Sequence, residues 1–438
     1  MSPLRDHSNP HDASPALSVL MLVGNTCVND TRVLKEAQSL LAAGYRVSVL
    51  CDDDHGRCGD AVQDGVPLRR VDMSLLASLP AWLQRVLNRV RGAHGPRPAA
   101  GVAPVAVAVA PRTPRWLNLG PLRLIIKLLR QRAIRRAAVA RCGNERVQVV
   151  HAHDLETLPA ALRLAERAGA RLVYDAHELE RHSVGLSKIE SVALGWQETR
   201  LLRKVARVIT VSDSIARFLA RACRMPLPLV VMNSPNLNQQ RRVAQDLRAQ
   251  LGLSNEQPLA VYIGRLAAHR GIDELLPALS AWPALHLACV GGRDAAFAAA
   301  LARRAQAQGV AARLHLVDAV SPFELIDFIR SADVAVVLVQ GVCLSYLYSL
   351  PNKLFEATFA GLPVCASDLP EQRRFVEEVG NGVLVDGRDS NAITRGLREA
   401  YQRRAEFRLA PARLAELAER YAWQAQSRKL LSMYEALR

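Results

Sequence analysis

The sequence predicts an α/β protein built from two doubly wound domains, each with a parallel sheet. Three observations support this fold class. The 438 residues exceed what one hydrophobic core usually organises, half of them are apolar, and short apolar runs alternate with helical patterns from Leu17 onward. A polar stretch at 233–257 interrupts the alternation, which then resumes. The pattern therefore predicts two similar halves.

In the first half, apolar runs bounded by turn residues predict six strands. They cover residues 17–23, 45–50, 147–151, 171–174, 207–211 and 227–232. The clearest helix is predicted over 31–43, where Gly44 supplies a C-terminal cap. Residues 75–115 break the alternation with Gly, Pro and Ala, and we interpret them as an insertion.

The second half repeats the strand pattern. Its predicted strands cover residues 259–263, 285–290, 313–317, 334–339, 363–366 and 382–385. A helix is predicted to start at Ser321, because Ser321 and Glu324 form a capping-box pattern with Pro322 at the first helical position. Beyond it, 411–438 is predicted to form a pair of helices.

These elements predict three parts of the chain. An N-terminal domain covers 17–232, a C-terminal domain covers 233–410, and the helices at 411–438 are expected to pack back toward the first domain. Parallel sheets of this kind bind ligands at the carboxyl ends of their strands. Two such domains are expected to face each other across one interdomain cleft, where the chemistry should lie.

The net charge of +16 is concentrated in one segment. Residues 73–144 contain thirteen Lys and Arg residues and no Asp or Glu. Within this segment, 121–140 is predicted to be a basic amphipathic helix. Such a helix either lies on an anionic membrane surface or packs its apolar stripe against the core as an ordinary surface helix. Aromatic residues are few here, so nucleic-acid binding is not expected.

Other features predict a cytoplasmic protein without a metal site. Residues 1–16 lack the apolar region of a signal peptide, and the uncharged stretch 98–111 is too short and too rich in proline to span a bilayer. The eight cysteines are scattered without metal-ligand spacing. Neither a disulfide framework nor a zinc site is therefore predicted.

The segment 349–364 (SLPNKLFEATFAGLPV) contains a predicted helix that Pro351 opens and Gly361 closes. A helix N-terminus offers unpaired N–H groups and the positive end of a dipole to a diphosphate. Glu356 lies in the first turns, where a carboxylate could accept hydrogen bonds from ribose hydroxyls. The alternative is that Glu356 only complements the helix dipole.

A second motif follows the predicted strand at 259–263. Gly264 and Arg265 end that strand, and Arg270 follows in the same loop. Two permanent cations at the carboxyl edge of a sheet could stabilise a departing diphosphate. Loop arginines taken alone more often face solvent, but the position at a strand end favours the functional interpretation.

Taken together, these motifs resemble the donor domain of the family-4 glycosyltransferases. The matching residues are Gly264-Arg265 with Arg270-Gly271, PNKLFE at 351–356, GLPV at 361–364 and GNGVLV at 380–385. The first half resembles the same family in NDTRV at 29–33, GYRV at 44–47, VHAHD at 150–154 and VYDAHEL at 173–179. The resemblance covers nearly the whole chain except the basic insertion. It implies the GT-B fold, in which two Rossmann-like domains face an interdomain cleft.

The resemblance implies roles for individual donor-side residues. Arg265 and Arg270 would hold the donor diphosphate, although the second position is usually Lys in the family. Glu356 would bind the ribose, and Asn352 or Lys353 would add a phosphate contact. The family's first glutamate would stand eight residues before Glu356, but that position is Tyr348.

Other residues are expected near the donor sugar and the acceptor. His177, just after a predicted strand, matches a family histidine near the donor sugar and would act with the two arginines in catalysis. Of His151 and His153, one is expected to point into the core and the other toward the acceptor; His153 is assigned to the acceptor side. Gly24 and Asn25 end the first strand and are expected to approach acceptor or phosphate.

The family's chemistry implies transfer with retention at the anomeric carbon. The leaving diphosphate would itself help to deprotonate the acceptor hydroxyl, so no metal and no cofactor are expected. The implied partners are a nucleotide-sugar donor and a glycan or lipid-linked acceptor, in cell-envelope or exopolysaccharide assembly. A peripheral position at the inner face of the membrane would follow if the basic segment 73–144 binds lipid.

Three alternatives remain open from the sequence. Tyr348 is compatible with a degenerate glycosyltransferase that serves as a scaffold or regulatory subunit. A sugar-nucleotide epimerase of GT-B shape would keep the same donor motifs. Asp52-Asp53-Asp54 forms a DxD pattern of the kind that binds a metal and a donor diphosphate. No G-x-G-x-x-G follows a strand and no P-loop is present, so dinucleotide redox chemistry is not expected.

Overall fold

The computed structural model describes residues 17–28, 30–53, 58–75 and 120–437. Most of the predicted insertion at 75–115 lies outside the described residues, as does Asp54 of the DxD pattern. The chain divides into two compact units. Among the described residues, the first contains those up to Asp175 together with Gly185–Val208, and the second contains Ala176–Val184 and Ile209–Leu437.

Strands of the first half form a sheet in the order β3-β4-β2-β1-β5-β6-β7-β8. They are β1 (Ser18–Leu22), β2 (Arg46–Asp52), β3 (Gly59–Gln63), β4 (Val66–Val71), β5 (Val149–His153), β6 (Arg171–Ala176), β7 (Arg207–Thr210) and β8 (Leu229–Val230). β1 pairs in parallel with β2 and β5, whereas β3 and β4 are antiparallel.

The second half has a sheet in the order β11-β10-β9-β12-β13-β14. Its strands are β9 (Leu259–Ile263), β10 (His286–Val290), β11 (Leu314–Val317), β12 (Val334–Val337), β13 (Val364–Ser367) and β14 (Gly382–Val385). All five pairings are parallel. The strand order reverses between β9 and β12, which defines the topological switch point where such sheets bind ligands.

The helices fill the connections between strands. They are α1 (Thr31–Ala42), α2 (Gly120–Cys142), α3 (Asp154–Ala168), α4 (Lys188–Leu202), α5 (Asp213–Cys223), α6 (Leu247–Leu251), α7 (Leu276–Ala281), α8 (Ala295–Ala307), α9 (Leu325–Ile329), α10 (Leu344–Leu347), α11 (Asn352–Phe359), α12 (Pro370–Val379), α13 (Ser390–Gln402), α14 (Arg404–Phe407), α15 (Pro411–Tyr421) and α16 (Trp423–Glu435). Among the described residues, every helix is too short or too polar to cross a bilayer.

The sheet of the second unit is buried on both faces. In β9, Leu259, Val261 and Ile263 belong to one apolar cluster, whereas Ala260 and Tyr262 belong to another. Successive side chains of a strand point to opposite faces, so the two clusters lie on the two sides of the sheet. Helices cover both sides, as a parallel sheet requires. The predicted fold class, two parallel α/β domains of the GT-B type, is confirmed.

A hairpin of the first unit was not predicted from the sequence. Strands β3 and β4 are joined by Asp64 and Gly65, whose φ angles are 49° and 79°. Two residues with positive φ between antiparallel strands form the type I′ turn for which Asp-Gly is a preferred sequence. The Asp-Gly signal was present, but the strands around it mix polar with apolar residues, and only Val66 and Leu68 of them are buried.

The helix predicted to start at Ser321 begins instead at Leu325, so that prediction is wrong. Ser321 does not form a capping box; its Oγ accepts a hydrogen bond from the Phe323 amide at 3.3 Å within a turn. The carbonyl of Phe323 accepts a hydrogen bond from the backbone of Arg241 at 2.6 Å. This carbonyl accepts from Arg241 in place of an amide one turn later, so the regular helical ladder is interrupted before Leu325.

Candidate active site

The loop after β9 is shaped by a glycine at its first position. Gly264 has a φ of 112°, and its amide donates to the carbonyl of Val290 at 2.8 Å. A Cβ atom at Gly264 would overlap the side chain of Lys353, and one at Gly291 would overlap the carbonyl of Gly264. Only glycine therefore lets the ends of β9 and β10 and the first turn of α11 approach so closely.

Arg265 and Arg270 lie on this loop, whose backbone is fixed at several points. The hydroxyl of Tyr262 donates to the carbonyl of Arg265 at 2.9 Å, and the amide of Gln340 donates to the carbonyl of His269 at 3.2 Å. Arg265 is exposed, whereas Arg270 is half-buried with its guanidinium 5.0 Å from the ring centre of Tyr346. The stacked Arg270 is therefore held in place before any ligand arrives.

Helix α11 places Lys353 and Glu356 beside the same loop. Its N-cap is Pro351, and no side chain caps its first turn. Lys353 and Glu356 are both half-buried. Burial lowers the pKa of Lys353 from the ordinary 10.5, the charge of Arg270 lowers it further, and Glu356 acts in the opposite direction. The cation is thus held in an environment that lacks enough negative charge for it, as expected of a site that awaits an anion.

Replacement of Lys353 by methionine is expected to stabilise the free protein and to weaken donor binding. The variant removes a poorly solvated cation but keeps the apolar stem, so the free energy of unfolding should rise by roughly 0.5–2 kcal/mol. Loss of a charge-assisted contact should reduce affinity for a nucleoside diphosphate by about tenfold to a hundredfold. Thermal unfolding and calorimetric titration measure the two effects.

The pH dependence follows from the sign of the Lys353 shift. Since folding disfavours its charged form, its contribution to stability should increase as pH rises through the lowered pKa toward 10.5. Lys353→Met should lack this increase. Lys204→Met, at an exposed lysine, should leave donor affinity unchanged. A destabilised Lys353→Met with normal affinity would contradict the assignment.

His177 follows β6 and is half-buried. The neighbouring residue, Glu178, accepts a hydrogen bond at 3.4 Å from the hydroxyl of Ser345, which lies on helix α10. Tyr346, which stacks with Arg270, lies on the same helix. The segment that carries His177 is therefore attached, within the second unit, to the helix that borders the cationic loop.

Tyr348 packs against a different helix. Its ring centre lies 6.4 Å from that of Phe218 on α5, and its carbonyl accepts a hydrogen bond from the hydroxyl of Ser212 at 2.8 Å. The tyrosine lines a cavity with Phe218 and the arginines at 217 and 221. The residue at the position of the family's first glutamate thus makes a packing contact with α5.

The assignment of His153 to the acceptor side is corrected by the structure. His151 and His153 are both fully buried, and their rings stack with centres 4.4 Å apart. Side chains two residues apart in a strand point to the same face, so one histidine could not point inward while the other pointed outward. His153 Nδ1 lies 3.5 Å from a carboxylate oxygen of Asp175.

A buried ion network surrounds these histidines, and the sequence did not reveal it. Arg32 donates from Nε to Asp175 Oδ2 at 2.7 Å and from Nη2 to Oδ1 at 2.9 Å. Glu36 lies 3.2 Å from Arg32 Nε. Burial alone would lower the pKa of Arg32, but the charges of Asp175 and Glu36 outweigh it and raise the pKa. This network supports β5 and β6 from inside the first unit.

The loop after β1 carries Gly24 and Asn25. The Asn25 side chain donates to Asp30 at 2.9 Å and accepts from the Cys27 amide at 2.8 Å. Arg130 on α2 donates to the carbonyl of Gly24 at 2.9 Å and forms an ion pair with Glu156. Arg130 and Glu156 are polar residues at this loop that the sequence interpretation missed, because neither belongs to a recognised motif.

The DxD pattern is tied into the backbone at its first residue. Asp52 Oδ1 accepts hydrogen bonds from the amides of Met73 at 2.8 Å and Asp53 at 3.0 Å. Burial raises the pKa of Asp52, and these amide bonds and Arg130 oppose the rise. The bonds give this carboxylate a structural role at the end of β2.

Comparison with known families identifies the class to which this fold and site belong. The family model described as "Glycosyl transferases group 1" matches residues 243–421, and the family model described as "Glycosyltransferase Family 4" matches residues 86–233. The chain belongs to the family-4 glycosyltransferases, with the GT-B fold.

Individual relatives are more distant. A D-inositol 3-phosphate glycosyltransferase of Thermobispora bispora is 27% identical over 315 residues, which cover 67% of this chain and 71% of the relative. Sucrose-phosphate synthase from Thermosynechococcus elongatus superimposes with a TM-score of 0.72 and 18% identity, over 96% of this chain and 99% of that one. Anabaena HepE, in a complex with UDP and glucose, superimposes with a TM-score of 0.68 and 15% identity, over 96% of this chain and 100% of that one. WaaG, a glycosyltransferase involved in lipopolysaccharide biosynthesis, superimposes with a TM-score of 0.58 and 14% identity, over 95% of this chain and 99% of that one.

Proposed function

We propose that this glycosyltransferase moves a hexosyl unit from a nucleotide-sugar donor to an acceptor hydroxyl with retention of anomeric configuration. The observation that carries the proposal is that Lys353 lies against Gly264 at the switch point of the second sheet, within electrostatic reach of Arg270 and Glu356. Cations there would neutralise the diphosphate, and the carboxylate would accept hydrogen bonds from the ribose. The Anabaena neighbour, which has UDP bound, makes a uridine nucleotide the first donor to test.

In the proposed reaction, the bond between the anomeric carbon and the diphosphate breaks as the acceptor oxygen bonds to the same face. The acceptor proton passes to an oxygen of the leaving diphosphate. Arg265 and Arg270 would stabilise the charge that develops on the diphosphate, and His177 would orient a sugar hydroxyl. This chemistry needs no metal.

The proposed setting is glycan assembly for the cell envelope or an exopolysaccharide, at the cytoplasmic face of the membrane. Two features support it. The basic segment 73–144 would attract an anionic membrane surface, and the structural neighbour WaaG acts in lipopolysaccharide biosynthesis. The acceptor in this setting would be a glycan or a lipid-linked saccharide.

Donor binding tests the site directly. Calorimetric titration with UDP, GDP and ADP sugars, with and without EDTA, should reveal one metal-independent donor. Glu356→Ala should weaken its binding by about tenfold or more, because hydrogen bonds to a charged group are lost. Glu377→Ala, at an exposed glutamate, should bind normally.

The remaining outcomes separate the alternatives. Donor binding that requires a divalent metal would favour the alternative in which the DxD pattern at 52–54 binds a metal and the donor diphosphate. Conversion of the donor sugar without an acceptor would indicate an epimerase. Binding without turnover over a panel of saccharide acceptors would favour the scaffold that Tyr348 suggests. If NMR of a product shows an inverted anomeric centre, the retaining mechanism is wrong.

A further inference from the structure

Helices α2 and α4 of the first unit expose an unusual amount of apolar surface. Of the thirteen large apolar residues exposed in the described part of the chain, eight lie on these two helices. On α2 they are Leu122, Ile125, Ile126, Leu128 and Leu129, which are 43–53% exposed; on α4 they are Ile189, Val192 and Trp196, at 56%, 72% and 68%. We call these eight residues the α2–α4 surface. Clusters of this kind mark sites of interaction rather than scattered surface residues.

The two helices are joined, so their apolar residues form one surface. The side-chain amides of Gln131 and Gln197 exchange hydrogen bonds at 2.7 and 3.2 Å. Arg123 donates to the carbonyl of Gly185 at 2.7 Å and lies 3.5 Å from Glu190. Between the helices runs an apolar groove of about 670 Å³, lined by Leu124, Leu128, Val192 and Trp196 among others.

The spacing of the apolar residues is that of an amphipathic helix. Leu122, Ile125, Ile126 and Leu129 recur every three or four residues along α2, as a stripe that normally faces a core. The structure places this stripe in solvent. The prediction that 121–140 forms a basic amphipathic helix is confirmed, but the alternative that its apolar stripe packs against the core is not.

The solvent-exposed charged residues of the two helices are all basic. Helix α2 contains six arginines and one lysine and no acidic residue. The acidic residues of α4 are Glu190 and Glu198, which are buried. The exposed face of the pair therefore combines apolar side chains with cations, so a fitting partner has an apolar interior and a negatively charged surface.

Charge decides among the possible occupants. Residues 76–119 precede α2 in the chain, but they contain six arginines and no acidic residue, so they would bring like charge to the surface. A second copy would present the same cations. A nucleic acid would leave the apolar stripe without a partner. An anionic lipid bilayer satisfies both requirements, and an exposed tryptophan such as Trp196 is typical of a membrane interface.

We infer that the α2–α4 surface inserts into the interface of an anionic bilayer, with a lipid acyl chain in the groove between the helices. The inference rests on the membrane setting of the proposed function. It assigns contact with the anionic bilayer to a defined surface of the protein. It also brings in α4, which lies outside the basic segment 73–144.

Sedimentation with vesicles tests the inference in the full chain. The wild type should bind phosphatidylglycerol-containing vesicles more tightly than neutral phosphatidylcholine vesicles. The double variant Ile125→Ser/Trp196→Ser should lose at least about tenfold in partitioning to the anionic vesicles, since two apolar side chains no longer enter the bilayer. Leu227→Ser, which changes an apolar residue 65% exposed elsewhere, should bind as the wild type does.

A second variant examines the charge separately. Arg132, Arg135 and Arg136 are exposed on α2, and their replacement by glutamine should weaken binding to anionic vesicles by about fivefold per arginine. Binding to neutral vesicles should not change. Calorimetry with UDP should give wild-type results for every variant of this surface, so a failure of the donor site is distinguishable from a failure of membrane docking.

Three results would overturn the inference. The wild type could stay in the supernatant with anionic vesicles. The serine variant could sediment like the wild type, which would mean that charge alone causes binding. Light scattering could show a dimer that the serine variant dissociates, in which case a second copy of the chain occupies the surface.

Discussion

Replacement of Asp175 by alanine is expected to lower the free energy of unfolding by about 3–5 kcal/mol. The carboxylate makes two hydrogen bonds to Arg32, and both side chains are buried. Removal of one partner leaves the guanidinium buried without its principal counter-charge, which costs more than the intact pair contributes. Urea unfolding, followed by circular dichroism, measures the loss.

Two further variants show whether buried charge is the cause. Asp60→Ala removes one partner of an exposed ion pair with Arg141 and should change stability by less than about 1 kcal/mol. The triple variant Arg32→Met/Glu36→Gln/Asp175→Leu removes all three charges of the network and should recover much of the lost stability. If the triple variant is no more stable than Asp175→Ala, the network does not act through an uncompensated charge.

Replacement of Arg270 by alanine is expected to lower kcat by about 100- to 1,000-fold. The guanidinium is held over Tyr346 and lies close enough to Lys353 to lower its pKa, so it is already placed where negative charge would develop on a leaving diphosphate. Steady-state turnover of the donor identified by calorimetry measures the effect.

The controls for Arg270 separate charge from position. Arg270→Lys keeps the charge but loses the contact of the guanidinium with the ring of Tyr346, so we expect turnover within about tenfold of the wild type. Arg303→Ala, at an exposed arginine of α8, should have no effect. Near-normal turnover by Arg270→Ala would remove this residue from the proposed mechanism.

The positions of the strands in the second unit could be predicted because most of these strands are short apolar runs. The predicted strands at 259–263 and 382–385 have the bounds that the structure shows, and the others differ by at most two residues at either end. A parallel strand that is buried on both faces has few polar residues, so its first and last residues can be recognised from the sequence. The hairpin of β3 and β4 gives no such signal, since its strands mix polar with apolar residues and only Val66 and Leu68 of them are buried.

The candidate site was predicted less completely than the fold. The cationic loop and helix α11 were found because their glycines and charges lie close together in the sequence. Tyr346 was missed, since the stacking partner of Arg270 belongs to a helix of four residues with no motif of its own. His153 was assigned to the wrong environment, because a histidine in a strand next to a buried carboxylate looks the same in sequence as one that faces a ligand.

The buried network of Arg32, Glu36 and Asp175 also constrains how this sequence can diverge. Arg32 is the cation that both carboxylates face, so replacement of Arg32 or Asp175 alone leaves a buried charge without its principal partner and lowers the free energy of unfolding. A neutral route to another set of residues requires at least two replacements, and the first is harmful by itself. Arg32 and Asp175 are therefore expected to tolerate replacement only together, whereas exposed pairs such as Arg141 with Asp60 should tolerate single replacements.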